Sequence, residues 1–217
     1  IDLGGGCRPS FDFDGVFGDR GGRDGGGSIV AEKGISLDAQ KNIINQAALT
    51  GNSNQTERHT NIYAKGRIET AGEDSAITMA AGNNISILGS VVKAEGNNAS
   101  IVMKAQKVDV ATVTENSNEY TLWTADNYRK TQTVEEKGSN LSAGSSIQIK
   151  ADDTLHIKGS NISGADIDLA AENGVTVTAG RNKMTAEEAH HHKGTTGGGN
   201  AMDIRSFDST ELANAVD

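Results

Sequence analysis

The stretch Ser75–Ser90, SAITMAAGNNISILGS, returns seventy residues later as Ser145–Ser160, SSIQIKADDTLHIKGS. Six of the sixteen positions are identical, and Ile77, Ile85 and Ile87 are answered by Ile147, Leu155 and Ile157. Within each copy the apolar residues fall two apart, the period of a strand whose side chains alternate between two faces. The pattern recurs as Ile35-Ser36-Leu37 with Ile43-Ile44, as Ile101-Val102-Met103 with Val108-Asp109-Val110, and as Ile167-Asp168-Leu169 with Val175-Thr176-Val177. Such a unit has one thin apolar face and cannot bury it alone. Stacking successive units as coils, each covering the next and pairing in parallel with it, solves that problem.

Spacing and composition select among the all-β folds. Ile77 to Ile101 is 24 residues and Ile147 to Ile167 is 20, one coil each. Residues 71–113 and 141–183 contain no Phe, Tyr or Trp. Rings are the usual bulk filler of sandwich cores, so the interior here is built from Ile, Val, Leu, Met and Ala. A closed up-and-down barrel also uses short alternating strands, but does not explain turns of the Gly-Asn kind at fixed offsets. The reading is a right-handed parallel β-helix, with roughly eight coils on a repeat of this length. Gly82 and the neighbouring asparagines suit left-handed turn conformations. Asn83, Asn84, Asn97, Asn98 and Asn173 are candidates for an amide ladder at the coil corners, or are plain turn residues.

A longer period lies over the coils. Residues 50–72 and 114–144 each carry an Asn-Ser-Asn triplet, continue polar and threonine-rich, and close on Ala-Gly. A third excursion starts after Gly180. They are too long for coil turns and too regular in position to be accidents, and are expected to be β-hairpin arms projecting from the rod. The chain divides into a glycine-rich irregular segment (1–27), the repeats (28–196) and an irregular tail (197–217). Glycine-rich backbone opposes order through its entropy.

The chain carries 20 Lys and Arg against 29 Asp and Glu, a formal charge of −9. That argues against nucleic acid as a partner, since its backbone calls for concentrated positive charge. No apolar run is long enough for a membrane-spanning helix. The N-terminus has neither an initiator Met nor a signal peptide, which suggests an excised fragment. The lone Cys7 excludes an intrachain disulfide framework and a cysteine zinc site.

No metal or cofactor is expected. His190, His191 and His192 are consecutive and cannot converge on one tetrahedral ion. Asp12, Asp14, Asp19 and Asp24 among glycines resemble calcium loops but lack their fixed oxygen positions. Parallel β-helices can host polysaccharide lyases and hydrolases, which need converging carboxylates and a base. Asp166 and Asp168 share one side of a strand, and Asp109 would join them if registers match. No His or Arg is expected at a matching strand position, and no catalytic set is assigned. His156, between Leu155 and Ile157, is expected to face solvent. The second arm is the most informative surface. Tyr120, Leu122, Trp123 and Tyr128 place the only Trp and two of the three Tyr within nine residues, either as an interaction surface or as cross-strand staples.

The coil phrases AITMAAGNNISILGS and SIQIKADDTLHIKGSNISGADIDLAAENGVTVTAG, with arms beginning NSN and closing on LSAG, resemble the haemagglutinin repeats of filamentous-haemagglutinin-like exoproteins. These are bacterial two-partner secretion proteins, among them contact-dependent growth inhibition effectors. The resemblance is closest over residues 28–196. It implies a non-catalytic β-helical filament segment, secreted to the bacterial surface through an outer-membrane partner. Its role would be adhesion at a target-cell surface or delivery of a toxin. The rivals are a polysaccharide-processing β-helix and a passive spacer.

Overall fold

The computed structural model describes residues 2–3, 10–12, 15–17, 27–124, 127–193 and 200–212, with side chains over 27–124 and 127–190. Strands β1 (Asp2–Leu3), β2 (Ser10–Asp12) and β3 (Gly15–Phe17) form a first coil. The second is β4 (Ser28–Ala31), β5 (Gly34–Ala39) and β6 (Asn42–Gln46), followed by the hairpin β7 (Ala48–Ser53) and β8 (Glu57–Ala64). The third is β9 (Arg67–Thr70), β10 (Ala76–Ala81) and β11 (Asn84–Leu88). The fourth is β12 (Val91–Ala94) with the long β13 (Ser100–Ala111), and leads into the hairpin β14 (Val113–Thr124) and β15 (Asn127–Lys137). The fifth coil is β16 (Asn140–Ala143) and the long β17 (Ser146–Lys158). The sixth is β18 (Asn161–Ser163), β19 (Asp166–Ala171) and β20 (Val175–Thr178), and the hairpin β21 (Arg181–Lys193) and β22 (Asn200–Leu212) follows it.

Coil strands pair only in parallel with their counterparts one coil away, giving a parallel β-helix with three faces. One face is the six-strand series β1-β4-β9-β12-β16-β18. A second runs β2-β5-β10-β13-β17-β19 and a third β3-β6-β11-β13-β17-β20, because β13 and β17 each bend across two faces. Six strands on a face mean six coils among the described residues, where the spacing suggests roughly eight. The arms absorb the length that further coils would have used.

The core is a set of stacked columns. Ile35, Ile77, Ile101, Ile147 and Ile167 lie in register on one face. Ile43, Ile85, Val108, Leu155 and Val175 lie in register on another, and Ile29, Ile68, Val92, Leu141 and Ile162 on the third. The first two columns are buried until the last coil, where no further coil covers them among the described residues, whereas the third stays buried to its end at Ile162. Ile147 is 0% exposed and its neighbour Ile167 45%.

Two stretches read as irregular contain strands. β1, β2 and β3 lie within residues 1–27 and pair in parallel with β4, β5 and β6. Parallel pairing needs only backbone N–H and C=O groups, which a glycine-rich chain retains. β22 lies within residues 197–217 and pairs along its whole length with β21. It matches no coil because it is an arm strand.

The corners are held by buried hydroxyls, and the one-coil amide rung that does form, Asn161 Nδ2 donating to Asn140 Oδ1 at 3.1 Å, lies outside the asparagines expected to make a ladder. Ser90 Oγ donates to the Asn45 carbonyl at 2.7 Å, and Ser90 N–H donates to Ser139 Oγ at 3.2 Å. Ser139 Oγ lies 2.8 Å from the carbonyls of both Ile87 and Ala111, and Ser139 N–H donates to Ser160 Oγ at 3.0 Å. All three serines are buried. Each follows a glycine, and Gly89 and Gly159 turn the chain there at φ of 59° and 52°, a region costly for other residues. Of the asparagine candidates, Asn98 and Asn173 donate not to another amide but to Asp74 and Asp153 one coil earlier, each at 2.8 Å. Asn83 and Asn84 donate through backbone N–H to the Lys41 carbonyl. Gly82 is not among the left-handed glycines. It is small because a Cβ there would run into the Gln40 carbonyl.

Burial decides what substitutions should cost. Ile147→Ala is expected to lose about 2–5 kcal/mol, and Ile167→Ala, one coil further in the same column, less than about 1. Ile87→Asp should unfold the rod, since it buries an unpaired charge, whereas Thr176→Asp on an exposed face should be close to neutral. Denaturant midpoints for the four variants check the facing assignment. Ser139→Ala, which strips partners from the Ser90 N–H and two buried carbonyls, is expected to cost about 1–3 kcal/mol, read the same way.

Candidate functional site

The three hairpins do not project separately. β8 pairs antiparallel with β14, from Asn116 opposite Thr60 to Glu119 opposite Glu57. β15 pairs antiparallel with β21, from Tyr128 opposite Ala189 to Val134 opposite Lys183. The result is one antiparallel sheet in the order β22-β21-β15-β14-β8-β7. A hairpin follows every second coil, so two arm strands accompany two coils. Strands in any sheet lie about 4.7–4.9 Å apart, so the arms climb at the pace of the rod and can pair laterally without strain.

Polar contacts at the arm bases fasten this sheet to the rod. Ala47 N–H donates to the Leu88 carbonyl at 2.9 Å. Glu136, at the base of β15, accepts from Lys158 Nζ of the fifth coil at 2.5 Å and from Arg181 N–H of the third arm at 2.8 Å. Partial burial opposes ionisation of Glu136, but the Lys158 hydrogen bond, the Arg181 N–H and the two positive charges outweigh it and hold the carboxyl below its usual range. Glu115 Oε1 accepts the Ile62 N–H at 2.7 Å and so ties the first arm to the second.

The four residues singled out on the second arm divide into two pairs. Tyr120 and Tyr128 are half-buried, their ring centroids 6.0 Å apart, with Lys130 Nζ 5.9 and 4.8 Å from the two rings. Tyr128 donates its hydroxyl to Glu187 Oε1 at 2.6 Å, and that bond to the carboxylate raises the phenol's pKa above its ordinary value. These two rings are cross-strand packing between β14, β15 and β21. Leu122 and Trp123, at an irregularity in the β14–β15 register, are 53% and 55% exposed. Trp123 stacks on His190, centroids 5.8 Å apart and planes 19° apart. Nothing in the sequence signals that contact, because the two residues come from different arms.

Below the rings the arm sheet carries an open groove of about 460 Å³. One wall is the turn Ser53–Glu57 of the first hairpin. It is kept in shape by Asn54 Oδ1, which accepts the N–H groups of Thr56 and Glu57 at 2.8 and 2.7 Å. Tyr120 N–H donates to the Thr56 carbonyl at 2.7 Å and closes that wall onto β14. The floor comes from β14, β15 and β21.

The other candidate residues fall elsewhere. Asp166 and Asp168 are exposed on the last coil, where Asp168 accepts from Gln148 Nε2 at 3.1 Å. Asp109 lies on a different face of the helix and does not join them. A His does stand at a matching strand position, contrary to the expectation: His156 is in register with Asp109, its Nδ1 3.0 Å from Asp109 Oδ1, and Thr178 Oγ1 is 3.4 Å from Nε2. The pair sits on an open sheet surface with side chains 42% and 45% exposed. His156 faces solvent as its alternation with Leu155 and Ile157 implies. Among the described residues no three His, Cys, Asp or Glu come together as a metal set. Cys7, Asp14, Asp19 and Asp24 lie outside the described residues, as do the side chains of Asp12, His191 and His192.

Coils that each touch only their neighbours, carrying arms that extend one shared sheet, define a solenoid repeat fold. Residues 122–209 match the hemagglutinin repeat family, consistent with a filamentous-haemagglutinin-like repeat region. The match spans β15, the fifth and sixth coils, β21 and most of β22. No curated protein and no solved structure matches the chain. The family suggests a filament segment of a large, secreted or surface-associated adhesin-type protein, and is typically structural rather than catalytic.

The Glu136 junction sets a pH dependence. Its folded pKa is depressed, so its contribution is present above the unfolded value and is lost as pH falls through the folded one, below the usual glutamate value of about 4.3. Amide exchange at Arg181 and Ile62 should separate the two ties. Arg181 is expected to lose protection between neutral and acid pH in the native chain, and to be poorly protected at both in Glu136→Gln. Ile62, bonded to Glu115, should follow Glu136→Gln only weakly.

Proposed function

We propose that this segment is a non-catalytic part of a surface filament, in which the rod supplies length and the arm sheet supplies contact with a target cell. The observation that carries the reading is the merger of three hairpins into one sheet that presents exposed Leu122 and Trp123 beside an open groove. Exposed apolar and aromatic side chains grouped on a rigid platform are the composition of an interaction surface. On this reading the parent protein is exported with an outer-membrane secretion partner and stands on the bacterial surface. Adhesion is the role the arm surface favours. Delivery of a toxin by contact would use the same rod with the arms as spacers.

Leu122→Ser with Trp123→Ser in the full parent protein tests the reading. Both side chains are more than half exposed, so folding and surface display should be unchanged. Attachment to target cells is expected to fall at least tenfold. Normal attachment with normal display would reduce the arms to spacers. Loss of target-cell inhibition with attachment intact would favour delivery over adhesion.

A further inference from the structure

We infer that the arm sheets of two copies of this chain stack, the basic face of one on the acidic face of the other. Filaments are thereby joined side by side. The inference goes beyond the contact reading, since it concerns the two faces of the sheet rather than the exposed pair Leu122 and Trp123. Side chains alternate across a strand, and residues opposite each other in register share a face. Asn118 stands in register with Arg58 and Gln132, and Lys130 with Tyr120 and Glu187. By the same alternation Glu136, Arg181 and Lys183 belong to this face. Among the described side chains it carries four cations against two carboxylates. Glu136, moreover, is already paired with Lys158 of the rod.

The other face has the opposite sign. Glu57 lies in register with Glu119, Glu115 with Glu135, and Arg129 with Glu188. With Lys137, that face sets five carboxylates against two cations among the described side chains. The ion pairs respect the division: Lys130 meets Glu187 on one face, while Lys137 meets Glu115 and Glu135 on the other. Like charges directly opposite each other destabilise a sheet. Lys137 bridges the Glu115–Glu135 pair and relieves it. Glu57 and Glu119 have no Lys or Arg within ion-pair reach among the described side chains, only His59 at 3.7 Å from Glu57. A basic face laid over them supplies the missing positive charge.

The dimensions fit a second arm sheet. Five described strands about 4.8 Å apart, overlapping along some eight residues, make a face of about 650 Å². Two such faces bury about 1,300 Å², the low end of stable interfaces. Stacked sheets lie about 10 Å apart, whereas a three-faced rod with sides of 4–6 residues is about 15–20 Å across. Two rods therefore cannot lie at the same end of the stack. Placing basic face on acidic face with the rods at opposite ends turns one filament end for end. The pair is antiparallel, the relation of filaments standing on two apposed surfaces.

Sedimentation velocity of the purified chain across a concentration series in near-physiological salt tests the stacking. Self-association is expected, and should vanish in about 1 M salt, where the screening length falls to about 3 Å. Arg58→Glu with Lys130→Glu should weaken it at least tenfold, and so should Glu57→Lys with Glu119→Lys. The second variant lowers the net negative charge of the chain, so an effect of net charge alone would strengthen association instead. Mixing the two variants should restore association, because each then meets faces of the opposite sign. All four residues are exposed, so both variants should keep the native circular dichroism and melting temperature. Arg58→Glu alone, which leaves the contacts of Lys130 with the tyrosine rings intact, should weaken association in the same direction. A monomer throughout the series would overturn the inference. So would association that neither variant weakens, as expected of end-to-end contact through the uncovered last coil, or a mixture of the two variants that stays monomeric.

Discussion

Everything in this molecule is paced by the distance between hydrogen-bonded strands, about 4.7–4.9 Å. The coils climb by that distance because each pairs with the one before it. The arms climb by the same distance because each strand pairs with its neighbour in the side sheet. Two coils and one hairpin per unit keep the two ladders in step. One coil or three between hairpins would leave an arm strand too many or too few, and the side sheet would buckle or open gaps. The seventy-residue recurrence is the sequence record of this matching.

Much of the rod is legible in the chain because its information is local and repeated. The alternation at Ile77-Thr78-Met79 and Ile101-Val102-Met103, 24 residues apart, announces both the strand and the coil. The exclusion of rings announces a narrow core of stacked aliphatics. The excursions at 50–72 and 114–144 announce hairpins. Their lateral fusion is not announced, since which strand edge meets which depends on the geometry of the rod rather than on any pattern in β8 or β14. The same limit hid the stacking of Trp123 on His190, which joins β14 to β21 across β15. The Asp109–His156 contact instead follows directly from the in-register pairing of β13 with β17.

Chemistry that looks ordinary in sequence hid other features. A Gly-Ser pair reads as a turn, and at Ser90, Ser139 and Ser160 it is one. The turn stacks, however, and the hydroxyls meet inside the corner and satisfy backbone groups of neighbouring coils. Asparagines draw the eye toward amide ladders, yet Asn98 and Asn173 pair with Asp74 and Asp153 outside. The candidate groove had no signal of its own. Its residues come from β8, β14, β15 and β21, and none has a spacing that ties it to the others.

The side sheet also changes the rod as a mechanical object. A bare three-faced prism has much the same resistance to bending in every direction. With a second hydrogen-bonded ladder fastened along one flank by contacts such as Glu136 with Lys158 and Ala47 with Leu88, the cross-section becomes that of a beam with a flange. Bending within the plane that holds both ladders must stretch one and compress the other. Bending across that plane does not. Thermal motion should therefore sweep the filament through a fan rather than a cone, keeping one flank turned consistently toward whatever it meets.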